Sequence, residues 1–249
     1  MEKMFSKNFI NIPKYCMKSS GKLWCSSSFR STIREKILNN TEITNTHLTP
    51  EISLRLITPN CKIYHEPVIL QKDRVFENDP FWGFYWPGGQ ALSRFILDNP
   101  LMVKSKRVLD IGSGSGACSI AAMISGAKSC IANDIDKIAE IAIELNAELN
   151  NVKLRSCTKN IIGKECDADV ILLGDIFYDE DIACLIVPWL FHLRTLKKKI
   201  FIGDPGRHPM TSERLTYMKK LSTYELSKIS LSENHGFDVA NVWEWIGCK

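Results

Sequence analysis

No apolar stretch in this 249-residue chain is long enough to cross a membrane. The longest, Ile182 to Phe191, is interrupted by Pro188, and a helical span needs roughly 20 apolar residues. No Cys-x-x-Cys occurs, and the nine cysteines are scattered, which points to reduced thiols and not to a disulfide framework. The five histidines (His47, His65, His192, His208 and His235) form no pair at metal-ligand spacing, so no metal site is expected. A basic excess is also missing from most of the chain. Residues 1–38 hold eight basic residues against two acids, which leaves 24 basic against 26 acidic elsewhere. Without that excess there is little to meet a phosphate backbone, so no nucleic-acid partner is expected. There is no internal repeat.

What is present divides into three parts. Residues 1–38 are basic, rich in serine and poor in acids, the composition of a mitochondrial transit peptide; a disordered basic tail is the alternative. Residues 39–105 hold short apolar stretches among turn formers, then the aromatic run Phe81–Trp86, then a helix over 90–98 from Leu92, Phe95 and Ile96. From 106 to 249 strands and helices alternate. Strands are expected at 107–111, 130–133, 152–157, 170–173 and 199–202, and helices at 117–124, 137–150 and 181–196. Such alternation implies an open, mostly parallel α/β sheet with helices on both faces. The end differs: a helix over 214–221, then strands at 224–231 and 237–246 around Asn234-His-Gly236. Two strands that close together must pair antiparallel, which adds a hairpin at one sheet edge.

Gly112, Gly114 and Gly116 lie between the first strand of this core and its helix. Glycines there permit a sharp turn and let a nucleotide lie against bare backbone. The loop also satisfies the dehydrogenase form Gly-x-Gly-x-x-Ala, so by itself it admits NAD. Asp110, two residues before the loop, would sit badly beside a pyrophosphate but suits the cationic amino-acid end of S-adenosylmethionine. Asp134, at the end of the next strand, can bind both ribose hydroxyls of either cofactor. Asn160, after the third strand, either reads an adenine edge or holds a turn.

The fourth strand runs into Asp175-Ile-Phe-Tyr178. Ligands of open α/β sheets meet the carboxyl ends of the strands, so Asp175 and Tyr178 are the candidate catalytic pair. The Pro-Pro-Tyr slot that grips a flipped adenine is missing, and an Asp-x-x-Tyr pair better suits a flexible amine. Asp175 would hold and aim that amine, and Tyr178 would flank the cation with its ring. The alternative is that Asp175 caps the following helix and Tyr178 packs.

Five segments carry a resemblance: PFWGFYWPGGQALSR at 80–94, VLDIGSG at 108–114, IANDID at 131–136, GDIFYDED at 174–181 and IGDPGR at 202–207. Together they resemble the electron transfer flavoprotein beta-subunit lysine methyltransferases, members of the seven-stranded protein methyltransferases with an Asp/Glu-x-x-Tyr/Phe motif. The likeness runs from about Thr41 to about Arg207 and thins across 152–168 and after His208. It implies a Rossmann-like seven-stranded methyltransferase sheet, S-adenosylmethionine as cofactor, and a mitochondrial protein substrate, lysine on the flavoprotein's beta subunit. Asp110, Gly112, Gly114, Gly116 and Asp134 match the cofactor motifs, and Asp175 and Tyr178 the signature pair. Trp86 matches the aromatic segment ahead of the loop, where it covers the cofactor or packs. Gly203 to Arg207 either lines the acceptor cleft or forms an ordinary Pro-Gly turn. A methyltransferase for another substrate and a non-catalytic nucleotide-binding module stay open as alternatives.

Overall fold

The computed structural model describes residues 27–65, 74–226 and 236–248. In chain order they form α1 (Ser27–Asn40), β1 (Glu42–Thr44), β2 (Leu54–Leu56), α2 (Lys62–His65), α3 (Pro87–Asp98), β3 (Arg107–Ile111), α4 (Ala117–Ile124), β4 (Ser129–Asn133), α5 (Lys137–Leu149), β5 (Arg155–Cys157), β6 (Val170–Gly174), α6 (Glu180–Thr195), β7 (Lys199–Asp204), α7 (Ser212–Thr216), β8 (Met218–Glu225) and β9 (Val239–Trp245).

Seven strands form one sheet in the order β5-β4-β3-β6-β7-β9-β8, parallel from β5 through β7. The central parallel strands β3, β6 and β7 are largely apolar on both faces, as strands covered on both sides must be. Their alternation divides the core. Val108, Val170, Leu172 and Phe201 join the cluster under α3 and α4, whereas Leu109, Ile171, Leu173, Ile200 and Ile202 pack with Ile186, Leu190 and Leu193 of α6. β9 enters antiparallel between β7 and β8. The expected hairpin is therefore present, with its later strand inserted against the parallel sheet and its earlier strand at the edge.

One local expectation is corrected. Residues 214–221 do not form one helix: α7 ends at Thr216 and β8 begins at Met218. Helical spacing there is outweighed by pairing with β9, in which Met218 lies opposite the fully buried Trp245. The expected strand over 224–231 is shifted with it, and its residues 227–231 lie outside the described ones, as do Asn234 and His235 of the turn. Within residues 39–80, read from the sequence only as short apolar stretches among turn formers, β1 and β2 pair antiparallel. Three residues are too few to be stable alone. Asn146 of α5 and Asn150, which caps its C-terminus, hold them: Asn146 accepts from the Arg55 amide (2.8 Å) and Asn150 from the Ser53 amide (2.9 Å). Asn146, fully buried, also donates to the Ser115 carbonyl (2.8 Å), which ties this lobe to the glycine loop.

The expected leader overlaps α1. Residues 1–26 lie outside the described residues, but 27–38 form most of a helix packed on α5. Ile33 and Ile37, one turn apart on one face, are buried with Ile141, Leu145 and Trp82. Arg30 pairs with Glu140 (3.0 Å) and Glu144, and Arg34 with Glu148. Part of the basic charge that suggested a leader is thus matched by acids on α5. Among the described residues, no helix is long and apolar enough to cross a membrane.

Candidate functional site

The site lies at the carboxyl ends of β3, β4, β6 and β7. Immediately after β3, Gly112, Gly114 and Gly116 all adopt positive φ (64°, 54° and 83°), conformations in which a side chain would strain the turn. Gly116 then starts α4. Asp110, buried within β3, accepts a bond from the Ser119 hydroxyl of α4 (2.7 Å). Burial pushes its carboxyl up to about 6, a rise the Ser119 hydroxyl only partly offsets. Asp134, just past β4, accepts from the amides of Gly114 (2.9 Å) and Asp136 (3.0 Å), so it fixes the loop while facing it. Burial raises its carboxyl to about 6 as well. Two desolvated acids beside bare backbone fit a ligand with a cationic end and hydroxyl donors: a cation would favour ionised Asp110, and a diol can donate to Asp134.

The other expected cofactor residues fall differently. Asn160 is exposed in the loop after β5, and its side-chain oxygen accepts from the Ile162 amide (3.1 Å), a local turn bond. Trp86 stands immediately before α3, donates to the Phe81 carbonyl (3.0 Å) and lies 5.5 Å from the Arg207 guanidinium. The buried neighbour of the glycine loop is Trp82: its Cα lies 3.9 Å from where a β-carbon on Gly114 would be.

At the end of β6 the chain turns sharply. Asp175 has φ of 54°, unusual for a residue with a side chain and of a kind that collects at functional sites. Its amide donates to the Gly203 carbonyl (2.9 Å), which holds the strained turn against β7. The buried carboxylate reaches two elements. Oδ2 accepts from the Gly89 amide of α3 (2.8 Å), and Oδ1 accepts from Nε and an η-nitrogen of Arg207 (3.1 and 2.8 Å). The first amides of a helix lack partners within it, and no side chain caps α3 locally. Asp175 therefore supplies the cap from across the sheet. The expected alternative had Asp175 capping the following helix; Asp179 does that, accepting from the amides of Asp181 and Ile182. Burial raises the Asp175 carboxyl, opposed by the Arg207 charge and the Gly89 amide.

Tyr178 is open to solvent at 55% exposure. Partial burial, then the charges of Asp134 and Asp179, push its hydroxyl upward, so it stays protonated.

Arg207 and Asp204 also belong to this site, although the expected catalytic pair omitted them. Arg207 clamps Asp175 and lies between the rings of Trp86 (5.5 Å) and Phe237 (5.6 Å). Asp204, fully buried at the end of β7, accepts from the amides of Gly206 (2.7 Å) and Arg207 (2.8 Å). The available signal was an Asp-Pro-Gly-Arg turn directly after a parallel strand. Among the described residues no group of three or more His, Cys, Asp or Glu could hold a metal ion.

Residues 91–177 match the family profile of ribosomal protein L11 methyltransferase (PrmA). The fold is similar to that of a Pyrococcus horikoshii protein described as an RNA methyltransferase, with a TM-score of 0.50, 16% identity, and coverage of 70% of this chain and 92% of that one. The seven-stranded sheet, the profile match and the relatives that follow place the chain among S-adenosylmethionine-dependent methyltransferases. Electron transfer flavoprotein beta subunit lysine methyltransferases are similar over most of the chain: 46% identity in Xenopus laevis (85% of this chain, 86% of that one) and 45% in Homo sapiens (85% and 81%). A Caenorhabditis elegans homolog is 38% identical over 84% of this chain and 93% of its own. The chain belongs to the electron transfer flavoprotein beta subunit lysine methyltransferase family.

Proposed function

We propose that this chain is a mitochondrial-matrix protein-lysine N-methyltransferase that modifies lysines of the electron transfer flavoprotein beta subunit. The observation that carries the reading is Asp175, strained and buried at the end of β6, with Tyr178 open to solvent three residues on. A substrate lysine can enter past the exposed tyrosine and meet the carboxylate.

Bound S-adenosylmethionine supplies a methyl group on an electrophilic sulfonium. Asp110 would hold its cationic amino-acid end, and Asp134 its ribose hydroxyls. The Gly112–Gly116 turn would admit it against backbone, whereas Asn160 holds its own turn through the Ile162 amide. Trp86 stacks on Arg207 and so acts on the acceptor side. The acceptor lysine arrives as an ammonium, roughly 3.4 units below its pKa at pH 7, and its neutral form lies about 4.6 kcal/mol higher. Asp175 favours the charged form, so its role is to hold and aim the amine, with the gain coming mainly from orientation. The Tyr178 ring flanks the cation and its hydroxyl can accept a hydrogen bond.

The purified protein, incubated with labelled S-adenosylmethionine and a mitochondrial extract, is expected to label lysines of the flavoprotein beta subunit. Label confined to nucleic acid or small metabolites would overturn the reading.

The targeting segment of this reading ends before α1, because Ile33 and Ile37 are core residues. Removing residues 1–25 is expected to leave thermal stability unchanged. Removing 1–38 strips both isoleucines, each worth about 1.5–3 kcal/mol of burial, and is expected to lower Tm by roughly 10 °C or more. Equal melting of the two truncated proteins would show that α1 is dispensable.

A further inference from the structure

Asp175 and Asp204 both bind Arg207 but use different parts of it. The guanidinium lies on Asp175 Oδ1, and the Arg207 backbone amide lies on Asp204 Oδ1. Asp204 Oδ2 is buried and has no hydrogen-bond partner. A buried carboxylate oxygen without a partner is strongly disfavoured when charged. The charged groups facing Asp204 are Asp175 from the end of β6 and Arg207 from its own loop. Of the other elements packed on β7, α3 meets it through Gly88 at Gly203, β9 sets Asn241 opposite Asp204, and α6 packs on it through Ile186, Leu190 and Leu193, none of which titrates. The cluster thus holds two carboxyl groups and one cation, one acid in excess of its bases.

We infer that this Asp175–Asp204 pair around Arg207 is a socket for one further cation, the acceptor ammonium, and that Asp204 loses its proton when that ammonium arrives. The inference rests on the lysine reading above. Asp204 acts as a positioning residue that completes the negative charge holding the amine against Asp175. Burial, and next the charge of Asp175, push the Asp204 carboxyl up to about 7, so an empty socket is half-protonated near neutral pH. An entering ammonium pulls that value down, and the released proton passes to solvent. Because binding releases a proton, affinity for the substrate rises with pH up to about 7 and is level above it. The two acids interact, so the proton belongs to the pair until binding resolves it.

Calorimetric titration of the protein, saturated with S-adenosylhomocysteine, with unmethylated flavoprotein beta subunit in buffers of different ionisation enthalpy counts that proton. The expected release is about half a proton at pH 7, fading by pH 9, with affinity rising about tenfold between pH 6 and 8. Asp204→Asn imitates the protonated acid and keeps the oxygen that accepts from Gly206 and Arg207. It is expected to release no proton, to bind at the weak acid-side level at every pH, and to raise KM with kcat changed less than threefold. Binding by the unaltered protein without proton release between pH 6 and 7.5 overturns the inference, even if the Asn variant fails to fold. Release of a whole proton that persists at pH 9 overturns it too, because that proton comes from the lysine. Failure to bind the flavoprotein at every pH overturns the substrate reading and takes this inference with it.

Discussion

Gly88→Ala is expected to destabilise the protein by about 3 kcal/mol or more, whereas Gly89→Ala, one residue further on, is expected to be neutral or mildly stabilising. The difference lies in what each β-carbon would meet. At Gly88 it would fall 2.1 Å from the Gly203 carbonyl oxygen and 2.8 Å from Asp175 Oδ2. The first obstacle is backbone in β7 and cannot rotate away, so α3 must lift from the sheet. Overpacking a well-filled core costs about 1–3 kcal/mol even when side chains can adjust, which sets the lower bound here. At Gly89 the new carbon would lie 3.6 Å from a ring carbon of Tyr85, an ordinary contact. Alanine in place of glycine in a helix then contributes up to about 1 kcal/mol. Thermal melts should separate the two variants by roughly 6 °C or more. Gly88→Ala should also lose methyl transfer beyond its loss of stability, because lifting α3 withdraws the Gly89 amide from Asp175 (2.8 Å). Similar melting temperatures for the two variants would show that α3 is not seated on backbone contact.

This close seating also marks where the sequence was informative. β3 and β6 were legible because Val108, Leu109 and Ile111, interrupted only by Asp110, and Val170 to Leu173 are apolar, as strands buried on both faces must be. α5 was legible from Ile138, Ile141, Leu145 and Leu149 at helical spacing. Asp175 and Tyr178 followed from their place after the fourth strand of the core, since parallel sheets collect ligands at that end. What stayed hidden depends on distant partners. β1 and β2 are three residues each and rely on Asn146 and Asn150, about 90 positions away. α1 offers only Ile33 and Ile37 amid serines and basic residues, so composition reads it as leader until Glu140, Glu144 and Glu148 appear opposite. The Arg207 clamp joins residues 32 positions apart on two strand ends, and nothing in local spacing announces it.

Asp175→Asn is expected to lower kcat/KM for the flavoprotein roughly a hundredfold while leaving the affinity for S-adenosylhomocysteine within about twofold. The substitution preserves shape and removes charge. One side-chain atom becomes a donor, and it must face either the Gly89 amide or the Arg207 guanidinium, both donors themselves. Hydrogen bonds to charged groups contribute about 1.5–3 kcal/mol. Losing one in the transition state, together with the charge that aims the amine, corresponds to a decrease of about 10- to 150-fold. The cofactor contacts do not pass through this residue: Asp110 is held by Ser119, and Asp134 by the amides of Gly114 and Asp136. A drop in methylation with intact homocysteine-analogue binding therefore separates an acceptor role from a structural one. Parallel loss of both would make Asp175 a structural cap of α3, and activity within threefold of the unaltered protein would remove it from the acceptor site altogether. Arg207→Ala supplies the complementary case. It leaves Asp175 buried without its cation, so the carboxyl rises further and is protonated at a higher pH. Measured as a ratio to the unaltered protein at the same pH, which cancels the titration of the acceptor amine itself, methylation by that variant should recover as pH increases, a response Asp175→Asn, having nothing to ionise at that position, must lack.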